Sequence, residues 1–510
     1  MKFRCPSIVH NNISVLSLML LAVGMPSNKV FMSIGAMLGV FNLILERDFQ
    51  TYWSNIKQNK AFIWLCAFLG LHLLSLIWSS DLAYAAHDLK IKLPLLAIPL
   101  ALLARPLPQN KIDVIYKLLI ASLFFTSLYN LGSYFQWFGF KSYIDIREMS
   151  LFGSHIRYGI LISLGAGLCL YLFQKSFKKS KIIYLIIFLW FATYTFYSQV
   201  ISGVIAFIIV VAFYSFKSAF SYSKVLSVFL SFPLIGLVIF LFQFFKPQDS
   251  IAIDPSKLPL ITAEGNPYSN DLLSNQTENN QPVYISVCEM ELRREWNLRS
   301  TIQYDAIDLK NQVIKSTIIR YLTSKNLSKD AEGIKQLKTA DIRNIEQGIA
   351  SVDELKSGLI ARLYAIRYQL NNNDDPNGHS LLQRFEYWKT AVEIIKGNLW
   401  IGVGVGDVQQ SFDSQYIKNK TKLSIPNRLR AHNMYLTVFV SFGIAGLLIF
   451  GIFWFQFVKI NCSKDTFFHV VFTFVILTTF LIEDTIETQL GVTIVSFFIA
   501  TGIQNRTKLL

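Results

Sequence analysis

The sequence predicts an all-α polytopic membrane protein with about twelve transmembrane helices and one large, mostly helical loop outside the cytoplasm. Three observations predict it. Of 510 residues, 52% are hydrophobic and only 16% charged, and mean hydropathy is +0.40; soluble domains carry roughly 25% charged residues. The apolar residues lie in long uninterrupted runs. Lys and Arg recur in every second loop, as the positive-inside bias requires.

The runs fall at about 13–27, 29–45, 61–79, 91–105, 112–136, 155–173, 182–198, 201–216, 225–245, 434–458, 466–482 and 486–504, against the roughly 20 residues of a spanning helix. Several are shorter than that, which leaves the ends of the first pair and of the pair at 182–216 loosely defined. With the N-terminus cytoplasmic, the inner loops carry Arg47, Lys57, Lys60, Arg105, Lys111, Lys175, Lys178, Lys179, Lys181, Lys217, Lys224, Lys459, Lys464, Arg506 and Lys508. The short outer loops carry Asp81, Asp88, Asp145, Glu148, Glu483, Asp484 and Glu487. The division is an N-terminal bundle of about nine helices at 1–245, a loop domain at 246–433, and about three C-terminal helices at 434–510, with both termini cytoplasmic.

The net charge of +15 reads as positive-inside bias plus contact with anionic membrane lipid. No basic-aromatic module accompanies it, so nucleic acid is not an expected partner. Cys5, Cys66, Cys169, Cys288 and Cys462 show neither metal-ligand spacing nor an intraloop disulfide pair, so no metal site is expected. The first apolar run reads as a retained membrane segment rather than a cleaved leader.

Within the loop, 247–282 is rich in Pro, Asn, Asp and Ser and reads as irregular chain. Asn275 begins a sequon that ends at Thr277, a weak three-residue match. The stretches 287–326 and 329–370 read as two helices from their apolar spacing. Asn371 to Gly378 is a strong break: a solvated turn, or a calcium site lacking the EF-hand spacing. A helix follows from Ser380, its N-cap, to Gly397, with Leu381, Leu382, Phe385, Trp388, Val392 and Ile395 as an apolar stripe. Arg384 and Trp388 share one face of it. Gly402, Gly404 and Gly406 then predict a tight turn ahead of a helix at 407–419 capped by Asp407. The alternative is that their backbone amides approach a phosphate or sugar.

The chemistry concentrates where the loop re-enters the membrane, from Arg428 to Leu436. His432 is the candidate general base, because imidazole titrates near neutrality and accepts a proton from a hydroxyl. A histidine also caps or anchors membrane helices. Arg430 and Asn433 beside it, with Arg384 upstream, favour the chemical reading, since guanidinium groups stabilise a departing diphosphate through forked hydrogen bonds. Arg428 reads as an interfacial anchor. Tyr435, one turn from His432, either orients a sugar ring or belongs to an interfacial aromatic belt. His155 and Arg157, at the outer mouth of the sixth segment, either bind diphosphate or acceptor or snorkel from a helix end. Glu483, Asp484 and Glu487 either hydrogen-bond sugars or pair with the arginines. His72 and His87 read as structural.

Arg384 with Trp388, then Gly402, Gly404, Gly406 and Asp407, then Arg430, His432, Asn433, Tyr435 and Leu436 followed by Gly443 and Gly446, resembles the O-antigen ligase family. That family shares its fold with O-antigen polymerases and some bacterial protein O-oligosaccharyltransferases. Glu483, Asp484, Glu487, Gln489 and Gly491 look like the ending of ligase-like proteins of the Bacteroidetes type. The resemblance implies an inverting, metal-independent glycosyltransferase of the GT-C type in the bacterial inner membrane, with its large loop periplasmic and with no cofactor. His432 matches the catalytic loop histidine and Arg384 the loop arginine. Arg430, Asn433, Tyr435, Trp388, Arg157 and His155 would bind substrate. The implied donor is a glycan on undecaprenyl diphosphate, and the implied acceptor is typically lipid A-core.

There is one departure. The family carries an arginine at the outer end of a central helix, where this chain has Ser198 to Gly203 with none. Diphosphate binding then falls to Arg157 or Arg430, or the chain has diverged, at the extreme into an inactive scaffold. The insertion at about 250–375 exceeds the family core and is expected to recognise an acceptor. An O-antigen polymerase and a protein O-oligosaccharyltransferase use the same chemistry. A glycolipid transporter or flippase is the rival of another class, and predicts internal repeats and charges paired at the bilayer midplane; the sequence shows neither.

Overall fold

A computed structural model describes residues 7–138, 143, 145–246, 254–274, 276–279, 281–310, 312–356, 358–371, 376–377, 380–462 and 466–504. Asn275 of the sequon, Asn372 to Asp375 and Gly378 of the break, and the inner-loop residues Lys464, Arg506 and Lys508 lie outside the described residues. The chain forms two compact units, Met1–Ser231 together with Gln383–Leu510, and Phe232–Leu382.

The first unit is helical throughout. Among the described residues, eight helices are long and apolar enough to cross a membrane, by length and composition: Ser7–Ser27, Lys29–Glu46, Lys60–Ile77, Gln109–Tyr134, His155–Lys175, Lys178–Tyr197, Ile201–Tyr222 and Met434–Asn461. Phe467–Thr479 and Gln489–Gln504 are apolar but shorter, as is Ile235–Phe244 of the second unit. Leu82–Ala104 is long but carries Asp88, Lys90 and Lys92 in its first half. Each apolar run of the sequence falls largely on one helix, the run at 225–245 on Lys224–Phe244. Large apolar side chains such as Met37, Phe125, Ile186 and Leu448 are exposed on the outside, which suits a surface solvated by lipid. Gln489–Gln504 is buried along nearly its whole length and packs on Leu82–Ala104. At the crossing of His155–Lys175 and Ile201–Tyr222, Gly159 faces Gly203, and the Ser163 hydroxyl bonds the carbonyls of both, at 2.9 and 2.8 Å.

The glycine run settles one alternative. Helix Met434–Asn461 breaks at Gly443 (φ 62°, ψ −157°). The break releases the carbonyls of Val440 and Ser441, which accept from the amides of Val403 (2.8 Å) and Gly404 (3.0 Å). In return the Ile444 amide donates to the Leu399 carbonyl at 2.9 Å. The remaining amides of the run are also taken: Gly402 by Asn398, Val405 by Ser75, Gly406 by Ser79 and Asp407 by Gly404. The run is therefore a strap that satisfies a kinked helix, and its amides are not free for a phosphate. Asp407 precedes helix Val408–Lys418 without capping it. Its carboxylate instead accepts the amides of Ser80 (2.9 Å) and Asp81 (3.0 Å), since that turn ahead of Leu82–Ala104 has its own donors to satisfy.

The second unit has its own core of Val283, Leu292, Trp296, Tyr304, Ile318, Tyr321, Leu322 and Ile345. It contains a two-stranded antiparallel hairpin, Thr277–Glu278 with Gln281–Pro282, and helices Glu289–Arg299, Ile314–Ser324, Ala331–Lys335, Thr339–Glu346 and Leu359–Asn371. The two long helices expected at 287–326 and 329–370 are broken into shorter ones. Asp308 accepts the amides of Lys310 and Gln312 and the Thr317 hydroxyl, which holds a loop where a helix would need those amides. The apolar spacing is real, but it serves one shared core rather than two continuous helices.

The strap predicts a contrast between glycines. A Cβ at Gly402 would overlap the Ser441–Phe442 backbone, and its φ of +68° is left-handed; the conformation alone costs Ala roughly 1–2 kcal/mol. Gly451, in the same kinked helix, has nothing within 4 Å. Thermal unfolding of the purified protein should show Gly402→Ala clearly destabilised and Gly451→Ala unchanged or slightly stabilised.

Candidate active site

The segment before helix Met434–Asn461 is held carbonyl by carbonyl. The hydroxyls of Tyr387 and Tyr416 donate to Asn427 (2.8 Å) and Leu429 (2.6 Å), and the Trp388 indole N–H donates to Ala431 (3.0 Å). On the other side the segment is joined to 477–484. The Asn433 side chain caps the helix through the Leu436 amide (3.1 Å) and donates to Leu481 (2.9 Å); the Tyr435 hydroxyl donates to Leu477 (2.8 Å). Asp484 accepts the His432 amide at 3.1 Å and the Thr437 hydroxyl at 2.9 Å.

These bonds fix His432 in a left-handed conformation, φ 45°. Non-glycine residues seldom adopt it unless their surroundings impose it. The half-buried imidazole lies against Tyr387, with ring centroids 5.7 Å apart. Its Nδ1 is buried with no hydrogen-bond partner among the described residues.

His432 lines a cavity of about 410 Å³, together with Arg157, Arg430, Asp484, Glu487, Asp88, Tyr84 and His87. Beneath it lies a chain of buried charges. Arg430 Nη1 meets Glu487 Oε2 at 3.0 Å, and Lys92 Nζ meets Glu487 Oε1 at 2.8 Å and also pairs with Asp88. Arg157 pairs with Glu483. Burial alone would neutralise Glu487, but Lys92 and Arg430 outweigh it and hold its carboxyl below the usual range. Asp484 goes the other way: burial and then the Glu487 charge raise it, against Arg430 and His432. Burial likewise opposes the Arg430 charge, yet Glu487, Tyr84 and Asp484 hold its pKa above the ordinary arginine value. Two neighbouring carboxyls pushed apart in this way, beside an imidazole, are a pattern found where protons are handled.

The expected residues separate into two groups. His432, Arg430 and Arg157 share the cavity. Trp388, Asn433 and Tyr435 bond to backbone and set the shape of the loop. Arg384 is not among the cavity-lining residues; its Nε donates to the Ile482 carbonyl at 3.3 Å, two residues from Asp484. His155 begins the helix that carries Arg157 and is not among the cavity-lining residues either. Glu483 and Glu487 pair with arginines, one of their two alternatives. Two contributions lie beyond the residues that the sequence singles out. His87, which reads as structural in the sequence, lines the cavity, and Lys92 lies inside an apolar run. The available signal was the Asp88–Lys92 pair at helical i,i+4 spacing, because charges inside an apolar helix need partners. The segment Ser198 to Gly203, which lacks the family's arginine, packs through Val200 and Gly203 on Gly159, two residues from Arg157.

Fold and site together define a helical polytopic membrane protein with a charged, histidine-bearing cavity lined by residues of the first unit. The family model described as O-antigen ligase matches residues 340–451, a stretch that includes Arg384, Trp388, the glycine strap, Arg430 and His432, and this match supports an O-antigen ligase-type assignment. The family is one of membrane ligases and polymerases of glycosyltransferase type. No curated protein matches the chain.

The charge chain gives a stability prediction. Lys92→Met leaves Asp88 and Glu487 short of their shared cation. Breaking a buried pair from one side costs about 3–5 kcal/mol, so the melting temperature of the purified protein should fall sharply. Adding Asp88→Asn should recover part of the loss. An unchanged melting temperature for Lys92→Met would remove the network from the account.

Proposed function

We propose that the protein is an O-antigen ligase-like glycosyltransferase that moves a glycan from undecaprenyl diphosphate to a hydroxyl of an acceptor such as lipid A-core. The observation that carries this reading is that His432, Arg430 and Arg157 line one cavity. In this reading His432 takes the proton of the acceptor hydroxyl as its oxygen attacks the anomeric carbon. The bond from that carbon to the diphosphate oxygen breaks on the opposite face, which inverts the configuration. Its electron pair leaves with the diphosphate, whose growing charge meets Arg430 and Arg157, and Arg384 assists in holding it. Arg157 takes the part of the arginine missing from Ser198 to Gly203. Asn433, Tyr435 and Trp388 position His432 through the loop. His155, ahead of Arg157 on its helix, contacts acceptor or donor sugar. Metal independence, the lipid carrier, the inner-membrane setting and the periplasmic side of the loop are what the family resemblance implies.

A polymerase would use the same cavity with a lipid-linked glycan as acceptor. The test is lipopolysaccharide banding in cells deleted for the gene and complemented with wild type, His432→Ala or Arg384→Ala. Bare core with accumulated lipid-linked polymer, restored only by wild type, is the expected result. Loss of a general base lowers rate by about 10²–10⁴-fold, enough to abolish the ladder. Core carrying a single repeat would make the protein a polymerase. A full ladder from both variants would refute the proposed site.

A further inference from the structure

The unit Phe232–Leu382 holds a second cavity, of about 360 Å³, with a different chemistry. Its wall is built from the hairpin Thr277–Glu278, the turn at Ser351 to Lys356 and the helix Leu359–Asn371. Glu278, Asp353 and Glu354 face Arg320, Lys356 and Arg367, so the lining charges balance. Most are already paired. Arg320 meets Glu278 at 3.0 Å and Glu354 at 3.7 Å, and Lys356 meets Asp353 at 2.7 Å. The same cations lie over two tyrosine rings of the wall, Arg320 over Tyr368 at 3.5 Å and Lys356 over Tyr364 at 4.0 Å, which holds ring and charge together. Arg367 differs: its Nε is buried with no hydrogen-bond partner among the described residues. Leaving a buried donor unmatched is unfavourable.

This lining discriminates between ligand classes. An anion would meet three carboxylates, and a cation would meet three cationic side chains. Apolar ligands would strip water from paired charges without replacing their hydrogen bonds. A sugar fits, because each hydroxyl both donates and accepts, matching carboxylates that accept and guanidinium groups that donate. We propose that this cavity binds a neutral, hydroxyl-rich sugar unit of a glycan chain. The choice of a glycan as the polymer at hand rests on the proposed transferase activity; the choice of a neutral sugar rests on the cavity alone.

The test uses the full-length protein in lipid nanodiscs and saturation-transfer NMR. The probes are neutral trisaccharides of hexoses, deoxyhexoses and N-acetylhexosamines, then trigalacturonic acid and glucose 6-phosphate. At least one neutral probe should bind, at least tenfold more tightly than either anionic one. Arg367→Gln and Asp353→Asn, each checked for an unchanged melting temperature, should each weaken it about tenfold, while His432→Ala should leave it intact. The proposal is overturned if no neutral probe binds, if an anionic probe binds as well, or if both cavity variants bind like wild type. Because binding is read without turnover, transfer that is lost in His432→Ala alongside absent sugar binding would sink this proposal and spare the transferase. Binding that depends on Arg367, alongside full transfer by His432→Ala, would do the reverse.

Discussion

Glu487, buried between Lys92 and Arg430, is the contact on which the site depends. A carboxylate taken out of water is strongly disfavoured unless opposite charges meet it at close range. Here one oxygen meets an ammonium from helix Leu82–Ala104 and the other a guanidinium from the loop before Met434–Asn461. The three groups come from parts of the chain far apart in sequence, so the pairing joins the end of the protein to its first half and fixes Arg430 at the cavity wall. Asp484, three residues earlier, holds the His432 backbone from the same turn. His432 and Arg430 are thus referenced to one short segment, which fixes the two side chains relative to each other.

A second device keeps that segment in place. The kink at Gly443 would be unfavourable if the carbonyls it frees stayed unpaired, and the glycine strap supplies their donors. Only glycine at 402 permits the close approach. The strap, the aromatic donors on the loop carbonyls and the Asn433 cap convert an irregular stretch of backbone into a rigid support. That is why irregular chain can be tolerated at the edge of a membrane bundle.

Much of this was legible in the sequence, for identifiable reasons. Helices follow from long apolar runs, a signal set by backbone hydrogen bonding and lipid solvation, and each such run is helical. That His432 and Arg430 line one cavity was foreshadowed by their place beside an apolar run, where ionisable groups are unfavourable unless they find partners. What was not legible is long-range. Nothing local to Asp407 says that its carboxylate serves Ser80 and Asp81 rather than its own helix. Nothing local to Trp388 or Tyr435 says which distant backbone carbonyls their polar hydrogens serve. Lys92 was masked by its apolar neighbours, and its partner Glu487 lies almost four hundred residues away. In the unit Phe232–Leu382, apolar spacing found the core-facing residues but not the breaks, because side-chain acceptors such as Asp308 took amides that a helix would have used.

The most direct measurement reconstitutes the purified protein with a glycan on undecaprenyl diphosphate and lipid A-core as acceptor, and follows release of undecaprenyl diphosphate together with the anomeric configuration of the product. Stoichiometric release and an inverted anomeric centre are expected, with both lost in His432→Ala and Arg430→Ala proteins that still fold. Release that persists in both variants, or a product with retained configuration, would contradict the proposed transfer.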